Sequence, residues 1–271
     1  MPALILIPPS EKKADGGNGP TEVATGAFAG LGPDRGALLA ALARARGRRA
    51  SRAFGLTGTA LDEALSLAAG WDTAGLLPAG ARYQGVLYDH LAPATLTRAA
   101  RARAETSVVI TSALWGFVGF ADPIPAYRLA LAGRPFGPSR PTVGAWWRPR
   151  LAAAVADRVA SVTAAGGVVV DLLPGGYADL VGDARRAAAR QADSVRWVRI
   201  RFEGGDGRSA PSFNAKARKG ALVRHLVSRA AAIRDSRGTA AALTAFRFDA
   251  DRVVGPVDLA PGLTDLVVRP S

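Results

Sequence analysis

Three short apolar runs constrain this chain more than anything else in it: ALILI at 3–7, VVIT inside TSVVITSALWGF at 106–117, and the start of VVVDLL at 168–173. None alternates with polar residues, which is how strands read when both of their faces are covered. Pro8 and Pro9 stop the first run, because proline cannot continue a ladder. Between the runs lie stretches with helical spacing. They are DRGALLAALARARGRRA at 34–50 with Asp34 as its N-cap, TALDEALSLAAG capped by Thr59, GAWWRPRLAAAVADRVASVTAAGG at 144–167, and NAKARKGALVRHLVSRAAAI at 214–233. Pro149 fits such a helix only in its first turn. RYQGVLYDHL at 82–91 reads as strand-like or turn-rich, and SVRWVRIRF at 194–202 as a strand with one wet, basic face. LTAFRFDA and DLVVRP read as closing strands, the last at a sheet edge. Strands interleaved with helices predict a mixed α/β (α+β) fold: one domain over 1–271, a mixed sheet flanked by helices, with no linker or repeat dividing it.

Composition narrows the chemistry. Hydrophobic residues make up 49% of 271, enough for a proper core. No apolar run approaches the ~18–20 residues that span a bilayer. The start, MPALILIPPSEKK, lacks the basic segment and cleavage site of a signal peptide, so a cytoplasmic location is expected. The absence of cysteine excludes disulfides, thiolate catalysis and cysteine-ligated metals. With two histidines, His90 and His225, a Ser-His-Asp triad or a histidine-rich metal site is a poor fit, and neither metal nor cofactor is expected. The net charge of +13 points to a polyanionic partner, nucleic acid first, and no membrane.

Thirty-five residues are Lys or Arg, yet only Lys12, Lys13, Lys216 and Lys219 are lysine. A lysine amine shifts its pKa on burial and can act as a nucleophile, which arginine does not do, so the rarity marks these positions. They lie beside ends of the proposed strands, where rigid elements position side chains and loops expose them. Ser10, Glu11, Lys12 and Lys13 follow the first strand; Trp115, Asp122, Tyr127 and Arg128 follow the second. Asp171, Gly175, Gly176 and Tyr177 follow the third, and SFNAKARKG, with Asn214, Lys216 and Lys219, follows SVRWVRIRF. In one sheet these ends converge on a cleft. Asp171 serves equally as a turn cap, and Trp115 and Tyr127 as core or rim aromatics. Lys216 and Lys219 are three apart near a helix start, where cations are disfavoured unless an anion binds, so Lys216 is expected to contact an anionic ligand and Lys219 to support it. The arginine-rich helix carrying Arg48 and Arg49 leads through FGLTG, with Gly55 and Gly58, into the next helix, a pattern in which a hairpin offers backbone N–H groups to a DNA phosphate.

PPSEKKADGG, YQGVLYD, LWGFVGFADPIPAYRLAL, WWRPRL, VVVDLLPGGYADL and FNAKARKGALVRHL together resemble the YaaA family, the bacterial peroxide stress proteins, over nearly the whole chain. The resemblance implies a single compact α/β domain with a positively charged cleft, a helix-hairpin-helix and binding to double-stranded DNA, in a role limiting damage by iron and peroxide. It places Lys13, Tyr127, Arg128, Tyr177, Lys216 and Lys219 in the cleft and the hairpin near Gly55 and Gly58. The chain departs from the family pattern at Lys12, where a glycine is usual, and at Leu173-Pro174-Gly175-Gly176, where an Arg-Ser-Gly-type turn is usual. Those departures keep a second expectation in play: an enzyme of nucleotide or nucleobase chemistry, such as N-glycosidic cleavage or transfer. It would use Lys13 or Lys216 as nucleophile or base, with Asp171 or Glu11 assisting.

Overall fold

ALILI forms strand β1 (Ala3–Ile7), buried at every position, and the rest of the fold is built around it. The computed structural model describes residues 3–18, 26–71, 73–190, 195–204, 206, 212–249, 251–254, 257, 259 and 261–270. After β1 come α1 (Gly32–Ala43), α2 (Arg48–Phe54), α3 (Gly58–Ala69), β2 (Leu77–Pro78), α4 (Ala79–Arg82), α5 (Val86–Leu91), α6 (Arg98–Ser107), β3 (Val108–Ser112), β4 (Gly116–Gly119) and β5 (Pro123–Ile124). Then follow α7 (Val143–Ala164), β6 (Val168–Asp171), α8 (Gly175–Leu180), α9 (Gly182–Arg190), β7 (Arg196–Phe202), α10 (Ser212–Val227), α11 (Ala230–Arg234), α12 (Ser236–Thr244), β8 (Arg247–Phe248), β9 (Asp251–Val253) and β10 (Gly262–Pro270).

Eight strands form one mixed sheet in the order β4-β3-β1-β6-β7-β10-β9-β8. β1 pairs in parallel with β3 and β6, β6 with β7, and β7 with β10; β4, β9 and β8 join antiparallel. β1, β3 and β6 are buried throughout because helices cover both faces. α6 and α11 lie on β1 from one side together with α10; α7 lies on β1 and β6 from the other, with α8 and α9. The fold is therefore the mixed α/β class that the three apolar runs predict. Among the described residues no helix is long and apolar enough to cross a membrane.

Several boundaries differ from the sequence expectation, each for a local reason. The helix expected over 34–50 is two, because Gly47 turns the chain at φ 52 between α1 and α2. α1 starts with Pro33 in its first turn and Leu31 at its N-cap; Asp34 instead accepts a hydrogen bond from Arg150 at 2.7 Å. Thr57, not Thr59, is the N-cap of α3. RYQGVLYDHL divides: Arg82 ends α4, Tyr83 is extended and bridges Lys13, and only Val86–Leu91, with buried Leu87, Tyr88 and Leu91, is helical, after a turn at Gly85. Pro149 is the seventh residue of α7, inside the helix. The segment 214–233 breaks after Val227 into α10 and α11. β10 is interior, and the sheet edges are β4 and β8. Residues 194 and 250, ends of two expected strands, lie outside the described residues.

Candidate functional site

The parallel strands all end on one edge of the sheet, so the segments after β3, β1, β6 and β7 are neighbours there. The chain leaving β1 returns through β3 on one side, and the chain leaving β6 returns through β7 on the other. At such a divergence open α/β sheets usually place their ligand site, outside the carboxyl ends of the two strands. Strand register sorts the end residues by face. Ile110 lies beside Ile7, Ile5 beside Val170, and Val170 beside Val198. Stepping by two, Ser112, Ile7, Leu172 and Phe202 share one face, and Asp171 and Arg199 share the other.

Lys13 stands at the first of these ends. Its Nζ donates to the carbonyls of Ser10 at 3.0 Å and Glu11 at 3.1 Å and lies 4.2 Å from the centroid of the Tyr127 ring. Burial, aided by the nearby Arg128 and opposed by Glu11, lowers its pKa to about 8. Tyr127 Oη sits 2.8 Å from Tyr83 Oη and 2.8 Å from Ser112 Oγ, and Ser112 Oγ accepts the backbone N–H of Trp115 at 2.9 Å. Tyr88 packs its ring 5.4 Å from that of Tyr83 and donates to the carbonyl of Pro8 at 2.9 Å. Tyr177, on α8, is close enough to Glu11 and Tyr83 for their charges to raise its pKa, after burial. All four tyrosines of the chain thus gather over the end of β1. Arg128 bonds Glu63 on α3, and its Nε, buried without a hydrogen bond, lies 4.0 Å from Glu11.

The lysine pair on α10 divides. Lys216 is exposed at the fifth position of the helix, and Lys219, a turn further in, is 7% exposed. α10 is drawn tight against α5 at Gly220, where a Cβ would lie 2.0 Å from the carbonyl oxygen of Leu87. Asp171 is held by the Leu173 N–H at 3.0 Å, the Trp197 indole at 3.2 Å and Arg185 at 3.5 Å. It acts as the strand-end cap, on the opposite face from Phe202. Asp122 clamps a loop through the N–H groups of Ala27 and Gly119, and Trp115 is core. Asn214 lines a separate cavity of about 290 Å³ with Phe213, His90 and Phe248. Lys13, Tyr127, Arg128, Tyr177 and Glu11 are therefore one group; Lys216 and Lys219 stand apart near the ends of β6 and β7.

A third feature lies at α2. Arg44, Arg49, Arg52 and Arg134 line an open cavity of about 490 Å³ with Phe136, and no acidic residue lines it. The side chains of Arg44, Arg48, Arg49 and Arg52 are exposed and, among the described residues, make no hydrogen bond or ion pair, whereas Arg148, Arg150, Arg199 and Arg218 each pair with an aspartate. α2 ends at Gly55, whose φ of 66 is left-handed and where an added Cβ would lie 2.6 Å from the backbone nitrogen of Gly133. The N–H groups of Gly55 and Leu56 both donate to the Ser51 carbonyl, closing the helix end internally. The turn reaches α3 through Gly58, itself at φ 55.

The buried bases and phenols give a signed pH dependence. Lys13 and Lys219 ionise at about 8 instead of 10.5, chiefly because burial disfavours their charged form. Between those values the unfolded chain holds more protons than the folded one, so stability rises with pH from about 8 upward. Burial pushes Tyr83 up to about 12 from 10.0, and Tyr88, Tyr127 and Tyr177 also rise. Above about pH 10 the unfolded chain loses phenolic protons first, and stability falls. Urea midpoints across this range are expected to pass through a maximum between about pH 8 and 10; a steady fall across that interval would contradict the burial of the lysines.

Tyr83, Tyr88 and Ser112 are missed by reading the sequence for charged strand ends; the scarcity of tyrosine, parallel to that of lysine, is the signal that points to the first two. Among the described residues no group of three or more His, Asp or Glu side chains could hold a metal ion. The chain is 35% identical over 230 residues to a UPF0246 protein of Streptomyces coelicolor, covering 83% of each chain. It is 35% identical over 228 residues to a UPF0246 protein of Corynebacterium glutamicum, covering 82% of this chain and 84% of the relative. A UPF0246 protein of Ruegeria sp. is 28% identical over 158 residues, 58% of this chain and 60% of the relative. Residues 3–251 match the family model described as Peroxide stress protein YaaA. With the match covering six of the eight strands of the sheet in full, β1, β3, β4, β6, β7 and β8, the chain belongs to the peroxide stress protein YaaA family.

Proposed function

We propose that this chain is a cytoplasmic peroxide-stress protein that binds double-stranded DNA by phosphate contacts, as the first element of protection against damage by iron and peroxide. The observation that carries the reading is the row of unpaired guanidinium groups at Arg44, Arg48, Arg49 and Arg52 beside a cavity without acidic lining. Unpaired, exposed arginines contribute little to folding and are suited to phosphate oxygens. The turn at Gly55 and Gly58 brings the N-terminus of α3 beside them as a further phosphate contact. Gly55 and Leu56 N–H are already committed to Ser51, so the donors of that hairpin are those opening α3. The basic side chains at the sheet edge, Lys13, Arg128, Lys216 and Lys219, add to the same long-range field without touching the duplex.

Phosphate contacts fix position and carry no sequence information. Affinity for duplex DNA should therefore fall steeply and linearly in log salt, with little difference between unrelated sequences. Fluorescence anisotropy with two unrelated duplexes across a several-fold salt range tests this; an affinity insensitive to salt would refute the reading.

One observation favours a second reading. Lys13 is held under the tyrosine cluster with its pKa at about 8, an arrangement suited to proton transfer on a nucleotide or nucleobase more than to a phosphate track. Lys13→Arg would keep DNA binding under the first reading and abolish turnover under the second.

A further inference from the structure

Of the four lysines, Lys12 and Lys216 are exposed, and Lys13 donates to two carbonyls against an aromatic ring. Lys219 differs from all of them. It is 7% exposed, and among the described residues its ammonium makes no hydrogen bond or ion pair; the Phe202 ring is 5.9 Å away. Asp171 lies near enough for its charge to act on Lys219, but its carboxylate is already occupied by Leu173, Trp197 and Arg185 on the other face of the sheet. A lysine side chain this deeply buried, with no partner for its ammonium among the described residues, is costly, and an apolar side chain would fill the same space without that cost.

The position of Lys219 is equally specific. Phe202 and Asp171 are the last residues of β7 and β6, so the amine stands at the carboxyl edge of the sheet, beside the point where the strand order diverges between β1 and β6. Helical side chains lean toward the N-terminus, so Lys219 reaches back along α10, a helix of sixteen residues, toward its positive end. Lys216, one turn earlier, is close enough that its charge further lowers the pKa of Lys219, after burial. Two ammonium groups on one side of a helix near its N-terminus repel each other unless an anion of matching charge lies between them.

We propose that Lys219, with Lys216 at its rim, binds a phosphate dianion, free or at the end of a small ester, at the carboxyl edge of β6 and β7. The dianion supplies the missing acceptors and neutralises both lysines. This subsite is separate from the arginines of α2 and does not depend on the DNA reading.

The test uses the unmodified chain first. Acetylation of individual lysines by acetic anhydride is followed by mass spectrometry, without phosphate, with inorganic phosphate, with a nucleoside 5′-monophosphate, and with a duplex bearing hydroxyl ends, all at equal ionic strength. Phosphate or the monophosphate is expected to slow acetylation of Lys219 at least tenfold, and the duplex is not. Lys219→Met is then expected to melt at the same temperature as the parent chain or higher, and to lose the phosphate-dependent rise in Tm, about 5 °C at a hundredfold excess over Kd. Arg48→Ala with Arg49→Ala should keep that rise. Protection no greater than that given by chloride overturns the proposal, as does protection by the hydroxyl-ended duplex equal to that by phosphate. A Lys219→Met chain that melts lower and still responds to phosphate overturns it as well.

Discussion

Gly220→Ala is expected to lower Tm by about 6 °C or more, although the same exchange in an open helix raises it. Alanine in a helix interior is ordinarily worth about 0.5–1 kcal/mol over glycine. At Gly220 the added Cβ would meet the Leu87 carbonyl oxygen at 2.0 Å, its carbon at 2.9 Å and the Cβ of His90 at 3.0 Å. Backbone atoms cannot swing aside, so α10 must move away from α5, and overpacking of this kind costs about 3 kcal/mol or more. For a chain of this size each kcal/mol is worth roughly 2–4 °C. Gly36, in α1 with nothing within 4 Å of its would-be Cβ, is the control: Gly36→Ala should leave Tm unchanged or raise it. Because Lys219 precedes Gly220, the movement also withdraws the buried amine from the ends of β6 and β7. Differential scanning calorimetry of the two variants gives opposite signs if α5 and α10 are in contact as described, and the same sign if they are not.

What the sequence discloses follows from how each element is stabilised. β1, β3 and β6 are legible because burial on both faces demands unbroken apolar residues, and little else in the chain has them. β8 and β9 are two and three residues long and are specified by pairing with β10, so no local pattern announces them, and β10 looks like an edge strand. The break between α1 and α2 hides in a run of alanine and arginine that favours helix throughout; only the backbone of Gly47 reveals it. RYQGVLYDHL reads ambiguously because it holds an extended Tyr83 that bridges Lys13, a turn at Gly85 and a six-residue helix, too short for periodicity to declare.

The site was legible by rarity and not by position. Scarce lysine leads to Lys13 and Lys219, and strand ends lead to Tyr127, Arg128 and Tyr177, all at one edge of the sheet. The sequence does not tell which member of the α10 pair lies inside. The helix begins at Ser212, and its phase turns Ala217, Arg218, Lys219 and Gly220 inward and leaves Lys216 exposed. Asp171 draws attention as a strand-end carboxylate, yet its bonds to Leu173, Trp197 and Arg185 make it a cap. The arginines of α2 stand out only in the structure, where Arg49 and Arg52 line one cavity with Arg44 and Arg134 and no acidic residue.

The second large effect concerns those arginines. Arg48, Arg49 and Arg52 are exposed and unpaired, so replacing all three with alanine should leave Tm within about 2 °C of the parent chain, as surface exchanges do. Each phosphate contact contributes about 0.9 to the slope of log affinity against log salt on duplex DNA. Losing three should weaken binding about a hundredfold or more near 0.1 M salt and flatten the slope by about 3. The Lys219 subsite lies elsewhere and should not respond. The decisive measurement is the duplex-DNA salt slope of the parent chain beside that of the Arg48→Ala, Arg49→Ala, Arg52→Ala variant. A slope shallower by about 3 with an unchanged melt is the result expected if α2 carries the phosphate contacts. Equal slopes and equal affinities would contradict it.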